Sequence, residues 1–193
     1  APLIAPIAAH GDCRGKTFLI PNWDSLVSPL LAANLRASGV DARVLGESPG
    51  SIRRAMSGNS GQCIPVSIIA QDCVEQVERE GLDPARTVLW TIGVAWPCNI
   101  PLYPHYLKLL MERRGGGMER LGVYEGEMTF MSFGPKAIIG AFHAYTAGGL
   151  LRRLACRVRP YEKERGATDR LVGEALAILT AALEGGTGIE KAY

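Results

Sequence analysis

Two cysteines stand where a thiol could do chemistry. Cys63 lies in Asn59-Ser60-Gly61-Gln62-Cys63-Ile64-Pro65, just ahead of a strongly helical stretch, and Cys98 lies in Trp96-Pro97-Cys98-Asn99, ahead of another. At each, a strand or loop meets a helix. A group at a helix start faces backbone N–H groups that lack an intrahelical partner, and the positive end of the helix dipole. The thiolate is the form of cysteine that ligates metal or attacks an electrophile, and electropositive surroundings favour it. Together the two residues read as thiolate ligands of an iron–sulfur cluster, whose negative charge such N–H groups offset. The alternative is two unrelated buried thiols, which fill cores well. The wide spacing has none of the compactness of a Cys-x-x-Cys pair.

Other residues carry weaker signals. Cys156 closes a long apolar segment and is a candidate third ligand, with core packing as the alternative. Cys73 falls on the apolar face of the helix that follows Cys63 and reads as core; Cys13 sits in the N-terminal stretch and is assigned no role. His105 could reach the Cys98 loop, whereas a structural role is the simpler reading for it and for His143. Glu125 and Glu127 would share a face if Val123 to Phe130 is a strand, and could then do acid–base work; an exposed strand edge explains them equally well. Asn22-Trp23-Asp24 follows the first strand, where open parallel sheets bind ligands, but turn chemistry is the simpler account.

The chain has no Gly-x-x-x-x-Gly-Lys-Ser/Thr loop, no Gly-x-Gly-x-x-Gly after a strand and no Gly-x-Ser-x-Gly elbow, so the common nucleotide-binding and hydrolase readings lose their footing. Its net charge of +2 argues against a dedicated nucleic-acid binder. The basic clusters Arg113-Arg114 and Arg152-Arg153 with Arg157 and Arg159 read as solvated helix faces, a phosphate contact being the alternative. No apolar run reaches the ~18 residues a membrane span needs. Ala1 to Ile7 is apolar without a basic leader, which is not the pattern of a signal peptide. The chain does not begin with Met and is expected to be part of a longer polypeptide. Five cysteines, an odd number and widely spread, suit a reducing cytoplasm.

The elements that must position these residues follow from periodicity. With 193 residues, 47% hydrophobic and 21% charged, the chain can bury a core without staples. Residues 1–16 read as a tail or linker, 17–183 as a single α/β domain and 184–193 as a flexible tail. Strands are expected at Thr17–Pro21, Val40–Leu45 and Arg86–Ile92, with a late strand at Cys156–Tyr161. Helices are expected at Ser25–Ser38, with an Asp24 or Ser25 cap, and at Ser51–Met56, Ile64–Glu80, Tyr103–Arg114, Pro135 to about Ala155, and Thr168–Leu183, capped by Thr168-Asp169. Val123–Phe133 is ambiguous. Strand–helix–strand alternation predicts an α/β fold: a mostly parallel, flavodoxin- or Rossmann-like sheet of about four strands with helices on both faces.

Four strings carry a resemblance: Phe-Leu-Ile-Pro-Asn-Trp-Asp (18–24), Asn-Ser-Gly-Gln-Cys-Ile-Pro (59–65), Cys-Asn-Ile-Pro-Leu-Tyr-Pro (98–104) and Arg-Pro-Tyr-Glu (159–162). They resemble the fused CoA-substrate-specific enzyme activases of the 2-hydroxyacyl-CoA dehydratase and double-cubane reductase superfamily, over most of residues 17–183. The resemblance implies the cluster-binding, dehydratase-like side of an ATP-dependent system that moves one electron at low potential. It implies a cubane (4Fe-4S) cluster with three cysteine ligands, Cys63 and Cys98 matching the first two and Cys156 a possible third. The implied partners are an ATP-dependent activase domain or subunit and an acyl-CoA or another small substrate, with neither nucleic acid nor membrane. A non-catalytic docking or assembly module of the fused polypeptide is the rival reading, and a flavodoxin-like binder of a small anion the weakest.

Overall fold

The computed structural model describes residue 13 and residues 15–59, 61–94 and 97–185. Four strands, Thr17–Ile20 (β1), Asp41–Val44 (β2), Thr87–Ile92 (β3) and Gly122–Gly126 (β4), form one parallel sheet in the order β2-β1-β3-β4. Six α-helices accompany them: Val27–Ala37 (α1), Pro49–Ser57 (α2), Ile64–Glu80 (α3), Tyr103–Arg114 (α4), Pro135–Val158 (α5) and Ala167–Glu184 (α6). The protein is therefore α/β with an all-parallel sheet, in the strand order of flavodoxin-like folds. Parallel neighbours need a crossover between them, and helices fill each one here. β3, with six buried residues and a paired strand on either side, is the apolar central strand its sequence predicts.

Residue contacts sort into two compact units: the described residues up to 22 with 40–128, and residues 23–39 with those from 129 on. In the first unit, side chains alternate across the sheet. Leu19, Leu89 and Val123 lie in one register row across β1, β3 and β4 and face a core shared with α3 and α4. Val66, Ala70, Cys73 and Val77 recur along α3, and Tyr103, Leu107 and Met111 along α4, at the spacing of one helix face. Phe18 and Tyr124, one residue out of that row, meet on the opposite face with ring centroids 5.9 Å apart.

Helices α3 and α4 run side by side in the same direction. Cys63 meets Tyr103 where both begin, and Glu78 pairs with Arg114 at 2.7 Å where both end. Gly81 stops α3 in the left-handed region (φ 61°), the conformation that glycine adopts at least cost.

In the second unit α1, α5 and α6 pack on one another. A Cβ at Gly140 of α5 would lie 1.8 Å from Asn34 Oδ1, so only glycine lets α1 approach this closely. Asn34 Nδ2 then donates to the Ala137 carbonyl at 2.8 Å.

Three sequence expectations need correcting. Cys156–Tyr161 is not a strand: Cys156 to Val158 complete α5, and Arg159–Tyr161 form a 3-10 turn. The β-preference of Val158 and Tyr161 yields to a helix already propagating from Pro135, because extending a helix adds one hydrogen bond per residue fixed. The fourth strand comes instead from the ambiguous segment, as Gly122–Gly126, followed by a 3-10 turn at Met131–Phe133. The start of α6 is not held by Thr168-Asp169: Glu162 accepts from the N–H groups of Gly166 (2.8 Å) and Thr168 (3.0 Å). At α1 the N-cap is Leu26 rather than Asp24 or Ser25, but Asp24, two residues earlier, accepts from the N–H groups of Leu26 and Val27 at 2.9 and 3.0 Å. Of the tails expected at 1–16 and 184–193, only Cys13, Gly15, Lys16, Glu184 and Gly185 fall within the described residues.

Candidate functional site

Cys63 is the N-cap residue of α3, and its side chain caps no N–H of the helix. The preceding loop is built by Asn59. Its Oδ1 accepts from Gly61 N–H at 2.8 Å, while its Nδ2 donates to the Gln62 carbonyl at 3.2 Å and to Ser67 Oγ at 3.0 Å. An asparagine that bonds the backbone two residues on makes a local turn, and Gly61 supplies the positive φ of 97° that the turn requires. The Ser67 bond ties the loop to the first turns of α3. Pro65 sits in that first turn, where a missing N–H costs nothing.

Cys98 follows β3. The chain bends at Pro97–Asn99, makes a 3-10 turn at Ile100–Leu102 and enters α4 at Tyr103. Cys98 is exposed and Cys63 half-buried. Strand β3 and helix α3 thus deliver two thiols on the side of the sheet where the strands end. Trp96 and Ser60, which belong to the two cysteine strings, lie outside the described residues.

Tyr103 joins the two cysteine loops. Its Oη lies 3.1 Å from Cys63 Sγ, and the residue is 3% exposed. Burial raises the phenol well above its ordinary value, and the hydrogen bond with Cys63 adds to the rise. A phenol that keeps its proton is a donor available to sulfur. Tyr103 is the residue that sequence reasoning missed. It sits inside the Cys98-Asn-Ile-Pro-Leu-Tyr-Pro string, and a hydroxyl at the start of the helix after a cysteine loop is the signal that could have found it.

The other candidates are placed as follows. Cys73 is fully buried in the core of the first unit, where burial, and then the Asp72 charge, pushes its thiol up to about 12. Cys13 is also buried. Cys156 belongs to the second unit and is exposed near the end of α5. His105 is exposed on the first turn of α4. His143 lies on α5 beside the Phe142 ring, at 6.2 Å between centroids. Glu125 is exposed on β4, but the strand stops at Gly126, so Glu127 is not held on the same strand face. Asp24 serves the turn and pairs with Arg152; burial works to raise its carboxyl, but the Leu26 and Val27 N–H groups and Arg152 hold it below its ordinary value. In the basic clusters, Arg114, Arg152 and Arg159 pair with Glu78, Asp24 and Asp169.

Tyr103 brings its phenol to the Cys63 thiol, 3.1 Å away, and Cys98 precedes it by five residues in the chain. Among the described residues no group of three or more His, Cys, Asp or Glu side chains is placed to hold a metal ion. A protein-held cubane takes thiolates at its iron corners, and two cysteines alone would leave such a set incomplete. No helix among the described residues is long and apolar enough to cross a membrane. Comparison with family models, with curated proteins and with solved structures found no match.

Proposed function

We propose that the chain is a dehydratase-like domain of an ATP-dependent, low-potential electron-transfer system, and that Cys63 and Cys98 supply two thiolates to an iron–sulfur cluster. The observation that supports this reading is that Cys63 Sγ lies 3.1 Å from the buried phenol of Tyr103, the first residue of the helix that follows the Cys98 loop. Two parallel helices start there, each with backbone N–H groups suited to an anionic group. The resemblance of four strings to the activase superfamily implies the substrate class, an acyl-CoA or other small molecule, and the partner, an ATP-hydrolysing activase. Such a cluster, when bound, supplies one-electron chemistry at a low potential. The chain's own residues hold two sulfurs in place and offer a phenol O–H beside one of them. A reducing cytoplasm is the compartment that this chemistry requires. Cys156, the candidate third ligand, lies in the second unit, so the proposal rests on Cys63 and Cys98.

Anaerobic reconstitution with iron and sulfide tests it. The full chain should take up both, and Cys63→Ala and Cys98→Ala should each lose most of the bound iron while remaining folded by circular dichroism. Loss of iron in Cys156→Ala would assign that residue the third position. Undiminished iron and sulfide in Cys63→Ala would remove the assignment. The second reading, a docking or assembly module, is favoured by the gathering of only two thiols; a folded wild-type chain that binds no iron under these conditions would select it.

A further inference from the structure

Helix α5 carries an exposed apolar stripe that its own unit does not cover. Ile139, Phe142, Leu150, Leu154 and Val158 recur at helical spacing, and all are exposed. Beside it, α6 exposes Leu171 and Ile178. Between the two helices lies a groove of about 450 Å³, with Leu150, Leu154, Ala175 and Ile178 in its lining and Arg153 and Arg157 at the same place. Leu150 and Leu154 are 50% and 56% exposed and Ile178 58%, values unusual for side chains that gather in one concave site.

The charged side chains that line the groove, Arg153 and Arg157, are both positive, although α6 also carries Asp169 and Glu174 outside that lining. Helix α5 carries Lys136, Arg152, Arg153 and Arg157 and no Asp or Glu. Arg152 is paired with Asp24, but Arg153 and Arg157 join no ion pair with a described residue. Four residues apart, those two share a helix face. A lipid surface is flat on this scale, whereas the site is a groove.

We propose that this groove receives an amphipathic helix of a partner protein, with an apolar stripe laid against Leu150, Leu154 and Ile178 and acidic residues facing Arg153 and Arg157. Helix-in-groove recognition reads apolar anchors one turn apart, and opposite charge at the rim sets orientation and partner choice. The proposal is independent of the cysteine site.

Two designed helical peptides of ~18 residues, about five turns, provide the probe. They share one leucine stripe, flanked by Glu in one and by Lys in the other. Fluorescence anisotropy with the full chain should show the acidic peptide binding roughly tenfold more tightly, a difference of about 1.4 kcal/mol. Leu154→Asp should abolish binding, and Arg153→Glu with Arg157→Glu should reverse the preference. If Leu154→Asp fails to fold by circular dichroism, the surface charge reversal carries the test. Equal binding of the two peptides, or no binding, would overturn the proposal. So would concentration-dependent dimerisation that Leu154→Asp abolishes without any peptide effect, or capture by anionic vesicles in place of the acidic peptide.

Discussion

Tyr103 has one face in the core of the first unit and its oxygen at Cys63 Sγ, 3.1 Å away. The five cysteines consequently occupy three different settings: exposed at Cys98 and Cys156, half-buried against a phenol at Cys63, and enclosed at Cys13 and Cys73. Thiol labelling of the native apoprotein, followed by peptide mass mapping, should modify Cys98 and Cys156 first and Cys63 more slowly. Cys73, with its thiol pushed up to about 12, should react only after unfolding. Early modification of Cys73 would contradict the burial described. Asp72, its neighbour in sequence, is a buried acid whose Oδ1 has no hydrogen-bond partner among the described residues. Burial is the main cause that raises its carboxyl, Ser51 and Arg79 oppose the rise, and Glu47 and Glu75 add to it. The native state therefore binds this proton more tightly than the unfolded chain does. Its charge weighs against folding increasingly as pH rises from the ordinary value of 3.8 through the raised one. Asp72→Asn should raise the melting temperature at neutral pH, with the gain shrinking towards pH 3.8; a gain that does not vary with pH would refute this account. The thiols at helix starts were legible because strand ends, turn residues and helix periods all show in the sequence. Tyr103 was not, because a buried phenol beside a distant sulfur follows from tertiary packing alone.

At the scale of elements, the helices were the easiest to read. Ile64–Glu80 and Tyr103–Arg114 match their apolar periods from end to end. Short strands are harder: β4 has five residues, two of them glycine, and little alternation to reveal it. Its place is set by pairing with β3 from Val88–Gly122 to Ile92–Gly126, a long-range fact. The Cys156–Tyr161 segment shows the converse, since β-preference counts only where a neighbouring strand offers hydrogen bonds. The contact of α1 with α5 turns on one position. Gly140→Ala must displace Asn34, and its cost should be about 2 kcal/mol in urea unfolding, the usual penalty of overpacking. Asn34→Ala should relieve much of that cost in the double mutant, because neighbouring sites couple. Strict additivity would show that the two side chains do not compete for the same space.

For the molecule as a whole, alternation of strand and helix was enough to expect a parallel α/β sheet, because few architectures bury such a pattern. The sequence expectation of a single domain over 17–183 stands beside contacts that sort into two units, with residues 23–39 grouped with those from 129 on. Periodicity tells which face of a helix is apolar; it does not tell which neighbour covers it. That is why the α5–α6 groove was equally hidden: Pro135–Ala155 reads as an apolar helix whether its stripe is enclosed or left open.

The shared direction of α3 and α4 has an electrical consequence. Antiparallel neighbours would largely cancel one another's peptide dipoles; parallel ones add. At the far end Arg79, Arg113 and Arg114 stand among Glu78, Glu80 and Glu112, with Arg79 paired to Glu80 and Arg114 to Glu78. The near end has no acidic residue in the first turn of either helix. The two helices therefore present the positive ends of their dipoles side by side where they begin, next to Cys63, so whatever settles there gains most if it brings negative charge of its own.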